Sequence, residues 1–319
     1  MHNEKVVVIG GGTGLSTLLK GIKKYTPNIT AVVTVADNGG GSGKIREEMG
    51  IIPPGDIRNC LVALANTEPI MKDLLQYRFT EGSLKNQSFG NLLLAALTGV
   101  TGSFENAVHE VAHVLAITGK VLPVTLENVH LYGTFDDGSL VIGECEIVDY
   151  GKTYNSNITH IELCPRMPKP NQEVLTAIAE ADKIILGPGS LYTSIIPNLL
   201  VDEVATAITH AKCEKIYIAN IMTQPGETTN CSLERHIEIL EQYLGQNNID
   251  TVIVNNEEVD DEAMLRYRSE GSEFLKVQEN HPIWNKLNRI EASLVKKNPE
   301  TGVIRHDQNK LAKAIFRVQ

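Results

Sequence analysis

The chain has 319 residues, 42% hydrophobic and 21% charged, with 26 Gly, 13 Pro and 5 Cys. That composition excludes a collagen-like, disordered or disulfide-stapled chain, and the length suits one large α/β domain, with or without an elaborated insertion. Twenty-nine Lys and Arg against 39 Asp and Glu give a net charge of −10. This weighs against a nucleic-acid partner, but not against a small anion held by backbone N–H groups.

Residues 5–9 (KVVVI) are predicted as a short strand buried on both faces. Glycines break it at 10–14, and Leu15, Leu18, Leu19 and Ile22 then recur at helical spacing. Residues 30–36 (TAVVTVA) form a second buried strand running into the glycine-rich stretch 37–43, so the opening reads as a right-handed βαβ unit. From residue 56 to about 118 the chain reads as several helical pieces. Strands are predicted at 121–126, 129–135 and 140–148, with Asp136, Asp137, Gly138 and Ser139 as a hairpin-type turn. Residues from about 119 to 165 are therefore expected to form a β-rich antiparallel insertion. Alternation returns with strands at 183–186, 215–219 and 251–254, among helices at 172–181, 202–211 and 232–244. The last stretch mixes charge with short strand candidates at 290–295 and 302–305. The expected fold is α/β. It is a Rossmann-like, doubly wound, mostly parallel sheet with a small antiparallel β insertion, in a single domain over 1–319.

The cysteines (Cys60, Cys145, Cys164, Cys213, Cys231) are scattered, with no CxxC. An odd, scattered set reads as reduced thiols of a cytosolic protein, mostly core or neutral filler. VVVIG is too short an apolar stretch for a signal peptide, and no window approaches a spanning helix. A cytoplasmic protein without membrane insertion is expected.

Nine of the glycines lie between residues 10 and 43, and they make two loops at strand ends. The first, GGGTGLS, offers the N–H groups of Gly11, Gly12 and Gly14 and the hydroxyl of Thr13 to an anion. It is not a dinucleotide fingerprint, because G-x-G-x-x-G from Gly10 needs glycine where Leu15 stands. The second, DNGGGSGKIR, holds Asp37, Asn38, Gly39, Gly40, Ser42 and Gly43. A Walker A loop would need Gly at Asn38 and Ser or Thr at Ile45, which excludes ATP hydrolysis of that type. Asp37 stands where a dinucleotide fold places its ribose carboxylate; holding a metal or orienting the loop are the alternatives. Lys44 and Arg46 read either as partners of a diphosphate or as a solvated helix face.

Further on, PPGDIRN places Asp56 as a helix cap and Arg58 and Asn59 toward the same crevice. Asn91 opens another helix as a polar contact. LGPGSLYTSIIPNL joins a buried strand to a helix, with Gly189 permitting close approach and Ser190, Tyr192, Thr193 and Ser194 supplying hydroxyls. ANIMTQPGET ends the next strand with Asn220, Thr223 and Gln224. The histidines show no H-E-x-x-H or metal-ligand spacing, and His109 and His113 read as helix flank or core. There is no G-x-S-x-G elbow. General bases are few, with Asp37 and Asp56 the best candidates.

Taken together, GGGTGLS, TVADNGGGSGKIR, PPGDIRN, QYRF, LGPGSLYTSIIPNL and NIMTQPGET resemble the YvcK/gluconeogenesis-factor family, the bacterial branch of the CofD-like superfamily. The resemblance runs from Val6 to about Thr228, with LRYR at Leu265 and RHD at Arg305 also familial. CofD itself is a 2-phospho-L-lactate transferase that handles a guanine nucleotide and a deazaflavin acceptor with a divalent metal. The YvcK branch is not known as a transferase. Its members bind UDP-sugars, notably UDP-N-acetylglucosamine, and are required for growth on gluconeogenic carbon sources and for normal cell shape and wall synthesis. The resemblance implies phosphates along residues 11–14 and 39–43, and a metal or ribose at Asp37 and Asn38. It puts Gly189 and Asn220 in ligand-facing loops. It also implies base stacking and diphosphate or sugar contact from Tyr267 and Arg305.

The expected function is a cytoplasmic regulator that senses a nucleotide-sugar of the UDP-N-acetylglucosamine type and turns over nothing. The rivals are a transferase moving a phosphate-containing group from a nucleotide-activated donor, with a divalent metal, and an NAD-binding protein without hydride transfer. Self-association into a homo-oligomer is left open.

Overall fold

The computed structural model describes residues 2–299 and 301–318. The chain opens with β1 (Val6–Gly10), α1 (Gly12–Ile22), β2 (Ile29–Val33), α2 (Gly40–Met49) and α3 (Gly55–Leu64). Three helices, α4 (Pro69–Gln76), α5 (Phe89–Thr101) and α6 (Phe104–Val114), lead to β3 (Lys120–Pro123). An excursion follows through β4 (His130–Phe135), β5 (Leu140–Ile142), α7 (Glu144–Tyr154), β6 (Ile158–Cys164) and α8 (Gln172–Ala179). The alternating pattern resumes at β7 (Lys183–Leu186). A π-helical turn (Leu191–Ile195) then runs into α9 (Ile196–Leu199), α10 (Val204–His210), β8 (Glu214–Ile218), α11 (Leu233–Leu244) and β9 (Thr251–Asn255). The chain closes with α12 (Asp261–Ser269), β10 (Asn288–Ala292), the hairpin β11 (Val295–Lys297) and β12 (Ile304–His306), and α13 (Gln308–Phe316).

The main sheet has the order β10-β9-β8-β7-β1-β2-β3, and every pair in it is parallel. Helices cover both faces of such a sheet, which is why its strands read as unbroken apolar runs; all of β1 is buried. From β1 the chain builds one edge through β2 and β3, then returns to the other side of β1 with β7. The strand order therefore reverses between β1 and β7. This is the mostly parallel, doubly wound α/β architecture that the loop-ended strands imply. Among the described residues, no helix is long and apolar enough to cross a membrane, and all five cysteines are free thiols. Cys60 is buried, while Cys145 and Cys164 are exposed.

Two elements differ from the sequence reading. The strand expected at 121–126 belongs to the main sheet, pairing in parallel with β2. Val121 and Leu122 are buried neighbours, the pattern of an interior strand and not of an amphipathic hairpin. The antiparallel sheet, of order β5-β4-β6, starts later, at His130. Secondly, the strand expected over 140–148 stops at Ile142. Gly143, at φ 103°, turns the backbone out of the ladder, and α7 begins. Ile147 and Gly151, one helical turn apart, are the buried positions of α7. Ile147 fills the space over Gly133 on β4, fastening the helix to the small sheet.

Candidate functional site

In an open doubly wound sheet the ligand crevice lies beyond the carboxyl ends of the strands where their order reverses, here between β1 and β7. The two loops meet there without intervening side chains. A Cβ on Gly14 would fall 2.9 Å from the carbonyl carbon of Pro188 and closer still to its oxygen. Above this contact opens a cleft of about 750 Å³. Gly11, Gly12, Thr13 and Gly14 line it from the β1 loop, Gly189 and Ser190 from the β7 loop, and Asn220 and Thr223 from the loop after β8. Tyr267 on α12 and Arg305 on β12 reach the same cleft from the far end of the chain.

Hydrogen bonds fix these walls. The side chain of Asn220 donates to the Gly189 carbonyl (3.0 Å) and to Gln224 Oε1 (3.2 Å), and Gln224 Nε2 donates to Ser190 Oγ (2.8 Å). The loops after β7 and β8 are thus tied together. Fully buried Asn198 donates to the carbonyls of Ser194 (2.8 Å) and Gly10 (3.3 Å), joining α9 to the end of β1. The Tyr267 hydroxyl accepts the Ile304 N–H (2.8 Å), which anchors α12 against β12. Beside Arg305, His306 is buried with its Nε2 unpartnered, and burial pushes its pKa down to about 4.

The remaining sequence candidates lie behind the cleft, around the second glycine stretch. Gly40, Ser42 and Gly43 form the first turn of α2, with Gly39 as its cap residue. Asp37 accepts the Gly39 N–H (2.7 Å). Asn38 donates to Glu146 Oε2 (2.6 Å) and accepts the Cys145 N–H (3.0 Å), clamping the first turn of α7 over the β2 loop. Asn91 donates to Ser42 Oγ (3.3 Å) and accepts from buried Arg58 (2.8 Å), which also donates to Asn59 Oδ1 (2.8 Å) and to Ser88. Arg58 thus serves a polar network inside the fold. Arg46 is neither a solvated residue nor a lining one. It is buried and donates to Asn128 Oδ1 (2.8 Å) and to the Val129 carbonyl, bolting α2 to the approach of β4.

Glu144, Val148 and Lys152, all on α7, and Glu227, in the turn after β8, also line the cleft. Sequence reasoning missed them because 140–148 alternates like a strand and Glu227 stands in a Gly/Thr-rich turn. With them comes an acidic wall. The Gly12 N–H, expected to meet a phosphate, donates instead to Asp56 Oδ2 (2.6 Å). Burial, and then the charge of Asp37, raises the Asp56 pKa to about 6 against the opposing Gly12 N–H and Arg58. Burial holds Glu144 well above the usual carboxylate range, reinforced by the charges of Asp37, Asp56 and Glu227. Burial raises Glu227 to about 7, opposed first by the Thr193 hydroxyl.

Converging carboxylates are a hard-oxygen donor set whose mutual repulsion a divalent cation relieves. Asp37, Asp56 and Glu144 fit such an ion by chemistry, although their oxygens do not all lie within 4.8 Å of one another. The one group of described residues that does so is Glu105, His109 and Glu173, where His109 faces a carboxylate instead of merely flanking a helix. There Lys120 Nζ lies 2.6 Å from Glu173 and already supplies positive charge.

The family described as 2-phospho-L-lactate transferase CofD matches residues 6–295. A putative gluconeogenesis factor of Clostridium acetobutylicum is 50% identical over 318 residues, covering 99% of this chain and 69% of that protein. The gluconeogenesis factor of Bacillus subtilis is 44% identical over 312 residues, covering 98% and 96%. A crystal structure of a UPF0052-family protein from Bacillus halodurans superposes with a TM-score of 0.93 at 41% identity, covering 98% of this chain and 99% of that one. With the motifs in order, the same sheet and this similarity over nearly all of its length, the chain belongs to the gluconeogenesis-factor family of the CofD-like superfamily.

Proposed function

We propose that the chain is a nucleotide-sugar-binding regulator that holds a ligand of the UDP-N-acetylglucosamine type between the β1 and β7 loops. In the cytoplasm it would link carbon metabolism to cell-wall synthesis and cell shape. The observation that carries this reading is the make-up of the switch-point cleft. Glycine backbone from two strand ends, a tyrosine and an arginine share one cavity with the acids Glu144 and Glu227. Tyr267 would stack on the base, and Arg305 would meet the diphosphate or the sugar. The volume, about 750 Å³, lies in the range of clefts that enclose drug-sized ligands. Asp37, Asp56 and Glu144 would hold a divalent cation, which when bound supplies charge neutralisation for a diphosphate beside this acidic wall.

Calorimetry with UDP-N-acetylglucosamine, with and without Mg²⁺, tests the reading. Saturable binding that strengthens with Mg²⁺ and weakens in Tyr267→Ala and Arg305→Ala is expected. A flat titration with folded protein would overturn it. NAD added as a competitor ranks the dinucleotide alternative; the nucleotide-sugar reading expects no displacement.

The transferase alternative has one specific observation in its favour. Asp56, Glu144 and Glu227 are carboxylates held protonatable near neutral pH around the same cleft, the condition for general acid–base work. It expects metal-dependent release of the nucleotide in an acceptor screen. A nucleotide that stays intact with every acceptor favours the regulator.

A further inference from the structure

Resting on the nucleotide-sugar reading above, we infer that Lys152 binds the diphosphate of the ligand. From the last turn of α7 it supplies the positive charge that backbone N–H groups and hydroxyls do not. Among the described residues that line the cleft, only Lys152 and Arg305 carry a permanent positive charge, against Glu144, Glu227 and Glu270. Glu270 is already paired with Arg266 (3.2 Å). Lys152 is exposed, and its ammonium makes no hydrogen bond or ion pair with any described residue.

One face of α7 lies along the cleft. Its lining positions are Glu144, Val148 and Lys152, and steps of four residues stack side chains on one side of a helix. Eight residues of helix separate the outer two by about 12 Å along the axis. The Glu144 end faces Asp37 and Asp56, whose charges act on its carboxyl. The Lys152 end stands on the turn after β8. A Cβ on Gly226 would fall 2.9 Å from Lys152 Cγ and 3.1 Å from the Lys152 nitrogen, and a Cβ on Gly151 would fall 2.8 Å from Gly226 Cα. The neighbour of Gly226, Pro225, packs in turn on Gly271, where a Cβ would lie 3.6 Å from its Cγ. Gly271 follows α12, the helix that carries Tyr267. The α7 face therefore runs from the carboxylates to the α12 side of the cleft, with its cation at the second end.

Backbone packed on backbone holds the root of Lys152 in place and leaves its tip to meet a ligand. With the base on Tyr267 and a cation among Asp37, Asp56 and Glu144, the diphosphate lies between the two, alongside this face. A lysine there acts as a mobile point charge on phosphate oxygens. A lysine in the last turn of a helix also gains from the helix dipole without any ligand. Lys313 separates the two roles, because it is exposed in the last turn of α13 and does not line the cleft.

The test is calorimetry with UDP-N-acetylglucosamine over a range of NaCl concentrations, on wild type, Lys152→Met, Lys152→Arg and Lys313→Met. Lys152→Met is expected to weaken binding about tenfold, as loss of a charged hydrogen-bond donor implies, and to flatten the dependence of affinity on salt. Lys152→Arg keeps the charge and should restore both affinity and salt dependence to near the wild-type values, whereas Lys313→Met should change neither. A Lys152→Met protein that binds as wild type does, or that binds more weakly with an unchanged salt dependence, overturns the role of Lys152 and leaves nucleotide-sugar binding standing. The same loss in Lys313→Met overturns it too, since the effect would then belong to net charge and not to the cleft. A folded wild-type protein that does not bind the ligand overturns both.

Discussion

Replacement of Gly14 by alanine is expected to lower both stability and ligand affinity, because it wedges apart the two loops that define the cleft. The added methyl would stand 2.9 Å from the Pro188 carbonyl carbon, nearer its oxygen, and 3.4 Å from the Gly189 nitrogen. All three atoms are backbone, so no side chain can swing aside. Gly14 has no positive φ, so the penalty is steric and not conformational. Overpacking of this kind costs about 1–3 kcal/mol, read as a lower urea midpoint with unchanged slope. The loops that separate also carry Thr13 and Ser190, so UDP-N-acetylglucosamine affinity should drop roughly tenfold, or 1.4 kcal/mol. Gly99 in α5 supplies the control. It too lacks a positive φ, and an added Cβ there meets nothing within 4 Å. Gly99→Ala should therefore stabilise by about 0.5–1 kcal/mol through lost unfolded-state entropy and helix propensity. A Gly14→Ala protein as stable and as tightly binding as wild type would refute the close-contact account of the switch point.

The sequence made the sheet legible and half of the cleft with it, for a physical reason. Interior parallel strands must be apolar on both faces, and KVVVI, KIIL and TVIV each map onto a strand of the main sheet. The loops that follow them are rich in Gly, Ser and Asn, so each looked equally fit to touch a ligand. Only the order of strands distinguishes them. β1 and β7 flank the reversal, whereas β2 lies one strand away, and α7 closes over its loop through Asn38 and the Glu146 carboxylate. That relation joins residues more than a hundred positions apart and leaves no local trace. The acidic wall was hidden twice over. Glu144 follows Val141, Ile142 and Gly143 in an alternating run that reads as strand until the positive φ of Gly143 ends it. Glu227 is a single acid in a turn whose Gly and Thr residues announce only the turn.

Opposite pH slopes are expected from the two sets of buried titratable groups. His236 and His306 are held neutral by burial, each with a pKa lowered to about 4. Between an unfolded value near 6.5 and that folded value, the unfolded chain binds the proton that the fold refuses. Their stabilisation is present above pH 6.5 and is lost as pH falls toward 4. Asp56 and Glu227 run the other way, raised to about 6 and about 7 from 3.8 and 4.5, and Glu144 is raised as well. There the fold binds the proton more tightly, so stability is present at low pH and is lost as pH rises through 4.5 toward 7. Across pH 5–7, above the range of ordinary surface carboxylates, each group shifts stability by on the order of 2 kcal/mol. The two sets therefore offset each other in the wild type. The triple variant Asp56→Asn, Glu144→Gln, Glu227→Gln removes the acidic set and should gain stability from pH 5 to 7. His236→Gln with His306→Gln removes the other and should lose stability over the same interval. Urea unfolding of both variants at pH 5 and 7 in the presence of a chelator measures the two slopes. Slopes of the same sign would mean that the acidic wall is not strained at neutral pH, and the case for a cation between Asp37, Asp56 and Glu144 would lose its electrostatic basis.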